Sequence, residues 1–237
     1  EACEALGTPV TGGNVSFYNE TNGEAILPTP TIGMVAIHEN LNVAATPGFK
    51  NHGDVICVLG EQKADELGGS EYLKLLHGAV GHDAPALNLE LEQKLHKAVL
   101  TAIHDGIVTA AHDVSEGGLA VALAEMAIAA APEARGCQVS VFANEGRLDA
   151  NLFGETQSRV ILTVRRDDVM RLRSICIAEG LPHRLVGDVS GDGRFVLAAL
   201  APGHESEFIF RRQTVIDLPV DELAKAHKEA ITQWMGA

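Results

Sequence analysis

Residues 107–130 constrain the fold most. Ile107–Ala111 is a short apolar run that passes directly into His112-Asp113-Val114-Ser115-Glu116-Gly117-Gly118. Leu119, Leu123, Met126, Ala127 and Ala130 then recur on one face of a helix. A strand leading through a polar, glycine-rich turn into a helix is a building unit of α/β folds, and ligands in such folds sit beyond the carboxyl ends of strands. Asp113 stands at such a strand end, where its oxygens suit a Mg²⁺ ion. Ser115 could cap the following helix or touch a phosphate.

Strand and helix patterns continue on both sides. Thr31–His38 reads as a buried strand, and the polar stretch Asn40–Gly53, with Pro47 and Gly48, reads as a linker. A domain boundary is therefore expected near residue 48. Gly53–Gly60 has the β-branched residues of a sheet centre. Gly68-Gly69-Ser70 opens a helix, either as a plain cap by Ser70 or with N–H groups aimed at an anion. His77 and His82 do not share a helix face and read as surface histidines. Leu91, Leu95, Ala98, Val99, Ala102 and Ile103 mark an amphipathic helix over Leu89–Asp105, ended by Gly106.

Gln138–Phe142 and Val160–Val164 read as strands, with Leu152-Phe153-Gly154-Glu155 and Arg159 before the second. Glu155 and Arg159 are expected to form a local ion pair, worth little if exposed. Asp167–Glu179 reads as a helix ended by Gly180 and Pro182. Arg184–Val189 and Arg194–Leu200 flank Ser190-Gly191-Asp192-Gly193, which signals a hairpin. Leu223, Ala226, His227, Ala230, Ile231 and Trp234 line a C-terminal helix. The expected fold class is α/β.

A second glycine pair lies in Pro9–Thr21, Pro-Val-Thr-Gly-Gly-Asn-Val-Ser-Phe-Tyr-Asn-Glu-Thr. Gly12 and Gly13 let the backbone approach a ligand or take positive φ. Asn14, Ser16, Asn19 and Glu20 then supply short oxygen-bearing groups, the chemistry that cradles phosphates and holds Mg²⁺. The alternative reading is a polar turn between a helix and a strand.

The net charge is −14. That excludes nucleic acid and anionic membrane as partners, because both require a basic face. A polyphosphate ligand must then arrive with a cation or meet an N–H-lined pocket. Cys3, Cys57, Cys137 and Cys176 form no Cys-x-x-Cys pair, so neither a zinc site nor a disulfide framework is expected. No apolar run reaches the roughly 18 residues of a membrane span, and no signal-peptide pattern opens the chain. A cytoplasmic location is expected. Glu1–Leu6 reads as a helix already under way and stopped by Gly7, so the chain is expected to belong to a longer protein.

Three strings carry a family resemblance in order and spacing. Gly13–Thr21 resembles the signature of the small-type formylglycinamide ribonucleotide amidotransferases (phosphoribosylformylglycinamidine synthases) of purine biosynthesis. His112–Leu119 resembles their His-Asp-x-Ser-x-Gly-Gly-Leu segment, and Phe153–Arg159 their Phe-Gly-Glu-x-x-x-Arg segment. The resemblance implies the mixed sheet with packed helices of the aminoimidazole ribonucleotide synthetase-like superfamily. In that family two domain types alternate in tandem. Residues 1–48 resemble the closing end of a truncated ATP-binding domain, and residues 49–237 a complete second-type domain with its C-terminal helix.

The implied reaction is ATP-dependent amidation. ATP activates the amide oxygen of formylglycinamide ribonucleotide as an iminophosphate, and ammonia released from glutamine displaces phosphate. The ammonia comes from a separate glutaminase subunit, joined by a small accessory subunit. By resemblance, Gly13 contacts the nucleotide, Asn14 contacts magnesium and Ser16 contacts the substrate. Asp113 matches a strand-end aspartate that resembles a magnesium ligand of a second, non-catalytic nucleotide site. The family's catalytic histidines, main ATP lysine and acidic Mg²⁺ ligands lie in the half preceding this stretch. The chain alone is therefore expected to be inactive without that N-terminal half. Two other readings stand beside this one. One is a different ATP-using synthetase of the superfamily, which the Asn14–Glu20 string disfavours. The other is a non-catalytic scaffold module that holds a nucleotide.

Overall fold

The computed structural model describes residues 1–14, 19–27, 29–38, 40–63, 65–130, 135–142, 147–203 and 206–236. They form two units, Glu1–Asn42 and Val43–Ala237.

The first unit opens with helix α1 (Ala2–Leu6), stopped at Gly7, whose φ of 64° no helix continues. Strands β1 (Glu20–Thr21) and β2 (Glu24–Ala25) pair antiparallel around Asn22 and Gly23, at φ 54° and 82°. Asn-Gly with two positive φ values is a hairpin turn that matches strand twist; this hairpin was not among the sequence expectations. Thr31–His38 differs from expectation. It belongs to no strand, and Ile32, Met34, Val35 and Ile37 are 82, 68, 99 and 92% exposed. Such a segment becomes a buried strand only when neighbouring strands take its N–H and C=O groups, and no strand among the described residues does. None of the described residues of this unit is buried.

The second unit is built on a seven-stranded sheet of order β4-β6-β3-β7-β5-β8-β9. The strands are β3 (Val55–Leu59), β4 (Val108–Asp113), β5 (Gly136–Phe142), β6 (Val160–Val164), β7 (His183–Ser190), β8 (Arg194–Gly203) and β9 (Ser206–Pro219). All pairings are antiparallel except β5 with β8, so the sheet is mixed as expected.

Every residue of β3 is buried, and the alternation of side chains divides them between two cores. Ile56 and Val58 join a core with Leu119, Leu123 and Met126 of α4 (Gly118–Ile128). Val55, Cys57 and Leu59 join the opposite core with α3 (Leu89–His104) and α6 (Val169–Ala178). Helices α5 (Leu148–Phe153) and α7 (Val220–Met235) complete the α4 side, through Leu152 and Val220. Helix α3 starts where Asn88 Oδ1 accepts from the N–H groups of Glu90 and Leu91, both at 3.1 Å. Its buried residues are Leu95, Ala98 and Ala102, the face expected from the periodicity. Burial pushes the thiols of Cys57 and Cys137 up to about 12, so both are inert core groups.

The expected hairpin over residues 184–200 does not form. β5 lies between β7 and β8, pairing Gly136 with Ser190 and Cys137 with Phe195. Two features permit the insertion. A Cβ on Gly136 would lie 1.9 Å from the Arg194 carbonyl oxygen, so only glycine fits where the connection passes the end of β5. Asp192 Oδ1 ties the connection itself, accepting from Ser190 Oγ at 2.6 Å and Arg194 N at 3.0 Å. Strand β9 is a further element absent from the sequence expectations.

Candidate functional site

The site in the second unit grows from β4, at the edge of the sheet beside β6. The chain leaves it at Asp113, whose side chain is 74% exposed. His112, just before, donates through Nδ1 to the Asp113 carbonyl at 2.6 Å, and its Nε2 lies 3.5 Å from Glu125 Oε2. Ser115 Oγ donates to Glu116 Oε2 at 3.1 Å and caps no helix. The N-cap of α4 is Gly117, with φ 79° and no side chain of its own to accept a bond.

The missing acceptor comes from another element. Glu155 Oε1 accepts from Gly117 N at 2.9 Å, and the same oxygen accepts from Glu71 N at 2.9 Å. Glu71 opens helix α2 (Glu71–His77), whose cap is Ser70: its Oγ accepts from Leu73 N at 3.4 Å and donates to the Leu67 carbonyl at 2.6 Å. The Gly68–Ser70 turn is therefore an ordinary helix start. The expected Glu155–Arg159 ion pair is not made. Arg159, 3% exposed, instead donates to the carbonyls of Gly154 at 2.6 Å and Thr156 at 3.0 Å. Burial pulls its guanidinium down to about 10. Each of the two charges is used against backbone groups, which accounts for their failure to meet.

Between α2 and α4 lies a cavity of about 1110 Å³. Tyr72 stacks on Phe153 on one side, with ring centroids 5.1 Å apart. Leu75, Leu76 and Val121 supply apolar wall, and Asp113, Glu116 and Glu125 supply negative charge. No lysine or arginine is among the described lining residues. Tyr72 Oη also donates to Asp149 Oδ2 at 3.2 Å. A hydrogen bond from Arg147 holds the Asp149 carboxyl down at about 2. Tyr72, Phe153 and the pair of hydrogen bonds accepted by Glu155 were not anticipated as site features. Phe153 and Glu155 lie in the Phe-Gly-Glu string, but the donors that meet Glu155 lie far off in sequence.

Gly13 and Asn14 are exposed in the first unit, Asp113 belongs to the second, and each is described within its own unit. Ser16 lies outside the described residues. Gly12 and Gly13 do not take positive φ, and a Cβ at either would meet nothing within 4 Å. Among the described residues no group of three or more His, Cys, Asp or Glu side chains is placed to hold a metal ion. No described helix is long and apolar enough to cross a membrane.

Residues 51–199 match the family described as AIR synthase related protein, C-terminal domain. The chain is 65% identical, over all 237 residues, to phosphoribosylformylglycinamidine synthase subunit PurL of Symbiobacterium thermophilum, of which it spans 30%. Among solved structures it is similar to T. maritima PurL complexed with FGAR, with a TM-score of 0.62 and 18% identity, over 78% of this chain and 30% of that one. T. maritima PurL complexed with ATP gives a TM-score of 0.57 and 19% identity over 78 and 28%. At those identities the solved structures support the fold.

Proposed function

From the premise that the chain belongs to the AIR synthase related family through that family's C-terminal domain, we propose that it is one portion of an ATP-dependent carbon–nitrogen ligase. The reaction joins formylglycinamide ribonucleotide, ATP and glutamine-derived ammonia to give formylglycinamidine ribonucleotide in purine biosynthesis. The observation that carries this reading is the 65% identity to a curated PurL over all 237 residues of this chain. Solved T. maritima PurL structures are complexed with ATP and with FGAR, which supports the two ligands.

In this reading Gly13 passes its bare backbone along the nucleotide, Asn14 offers an amide oxygen to Mg²⁺, and Ser16 contacts the ribonucleotide substrate. Exposure of Gly13 and Asn14 and the open space around Gly13 fit such a role. When bound, Mg²⁺-ATP supplies the phosphoryl group that activates the amide oxygen; the protein's share is positioning and electrostatic stabilisation. Asp113 is the proposed Mg²⁺ ligand of a second, non-catalytic nucleotide site. The lining there holds several carboxylates and no described lysine or arginine, and the Gly117 and Glu71 amides are taken by Glu155. The nucleotide of the reaction is assigned to Gly13 and Asn14, and a nucleotide beside Asp113 would arrive with its cation. The remaining partners are the rest of the longer chain, a glutaminase subunit and a small accessory subunit, in the cytoplasm.

The test is amidine formation by the full-length protein with ammonium as nitrogen donor. Asn14→Ala should lower the rate roughly 100-fold and raise the Mg²⁺ concentration needed for half-maximal rate. This 237-residue chain alone should form no amidine. Wild-type activity with an unchanged Mg²⁺ requirement in Asn14→Ala, or amidine made by this chain by itself, overturns the reading.

A further inference from the structure

The Phe153–Arg159 segment has a geometry that the proposed reaction leaves unused. One carboxylate oxygen, Glu155 Oε1, takes two backbone donors from different helices, Glu71 N and Gly117 N, each at 2.9 Å. Those donors sit at the starts of α2 and α4, and these two helices are the facing walls of the cavity: Tyr72, Leu75 and Leu76 from one, Val121, Glu125 and Ile128 from the other. Two further ties of α2 run through a single side chain, Tyr72, by its stack on Phe153 and its bond to Asp149.

The carboxylate is itself held from behind. A Cβ on Gly154 would lie 2.4 Å from the Ala150 carbonyl oxygen and 2.8 Å from that of Glu66, so the residue before Glu155 is wedged between two backbones. Arg159 grips the same turn through the Gly154 and Thr156 carbonyls. Gly118 packs against it from the front, where a Cβ would lie 2.6 Å from the Gly154 oxygen. First-turn N–H groups have no partner inside their own helix, and a carboxylate is the strongest acceptor available to them.

We propose that Glu155 is the positioning residue of this cavity. By holding Glu71 N–H and Gly117 N–H on one oxygen it sets how α2 and α4 face each other, and Arg159 keeps the Glu155 turn in place. The role goes beyond the proposed reaction and does not depend on it.

Hydrogen exchange of the full-length protein, followed by mass spectrometry, tests this with three variants. Glu155→Ala removes the acceptor. It should speed exchange roughly 10-fold or more in residues 71–77 and 117–121 together, with α3, in the opposite core, unchanged. Glu155→Gln keeps an oxygen at the same reach and should stay within about 3-fold of the native protein in both stretches. Glu155→Asp keeps the charge but is one methylene shorter, and should lose protection in at least one stretch. A general loss of stability would instead speed α3 by the same factor. The proposal falls if Glu155→Ala leaves both stretches protected, if it loosens α3 equally, or if Gln fails to rescue what Ala loses. Should the Ala variant not fold, the Gln and Asp pair decides: retention of both stretches by Asp also overturns it.

Discussion

Two glycine pairs, Gly12-Gly13 and Gly117-Gly118, look alike on paper and differ in the molecule. Gly117 and Gly118 have φ of 79° and 70°. A Cβ on the first would strike Val121 at 2.5 Å, and one on the second would strike the Phe153–Gly154 backbone at 2.6–2.9 Å. Their own fold demands them. Gly12 and Gly13 have open space around them and no positive φ, so nothing described in their unit requires glycine there. A double glycine that the surrounding chain explains is architecture. The open space at the other pair is compatible with the nucleotide contact proposed for Gly13.

The contrast can be broken by substitution, and the largest effect belongs to the packed pair. Gly118→Ala combines backbone strain with a clash against immovable main chain and should destabilise the second unit by about 3 kcal/mol or more, read from denaturant midpoints. A cost below about 1 kcal/mol would show that the turn yields. Next comes Arg159→Leu, which strips the donors from two buried carbonyls. It should cost about 2–4 kcal/mol in the same assay, with little recovered by Arg159→Lys, whose single ammonium cannot reproduce the fork.

A smaller effect lies beside the same cavity, at Asp149. Its folded-state carboxyl sits at about 2 against an ordinary 3.8, chiefly because Arg147 donates to it. A depressed carboxyl stabilises above its ordinary value and loses that contribution as pH falls from about 3.8 towards about 2. Arg147→Ala should return the titration towards the ordinary value in an NMR pH series and flatten the acid limb of stability. The change should be small, since Arg147 is largely exposed and its pair with Asp149 is screened by solvent. Smallest of all for stability is Gly13→Ala, expected within about 0.5 kcal/mol of native. Isothermal titration of the full-length protein with Mg²⁺-ATP should nevertheless show weakened binding. A stability loss as large as that of Gly118→Ala would erase the distinction between the two pairs.

What could be read in advance was local. The all-apolar run of β3, the 3.6-residue rhythm of α3 and the passage from β4 through a glycine turn into α4 each depend on neighbouring residues, and each appears near its expected place. The carboxylate that completes that turn could not be read this way, because Glu155 meets Gly117 and Glu71 only through tertiary packing. A short Glu-x-x-x-Arg spacing invites an ion pair, and buried carbonyls competed for the arginine successfully. Thr31–His38 misled for a related reason. Apolar residues state a preference for burial, but a strand also needs partners for its backbone. Asn22-Gly23 is the opposite case, a hairpin whose signal is wholly local.

The placement of β5 has a kinetic consequence. Residues 183–200 look ready to zip into a hairpin within microseconds, yet the native order forbids that contact, and a premature zipper would have to reopen before β5 could enter. Assembly of this half of the sheet therefore waits on encounters between segments distant along the chain, which ties the folding rate to topology more than to the quality of any single turn.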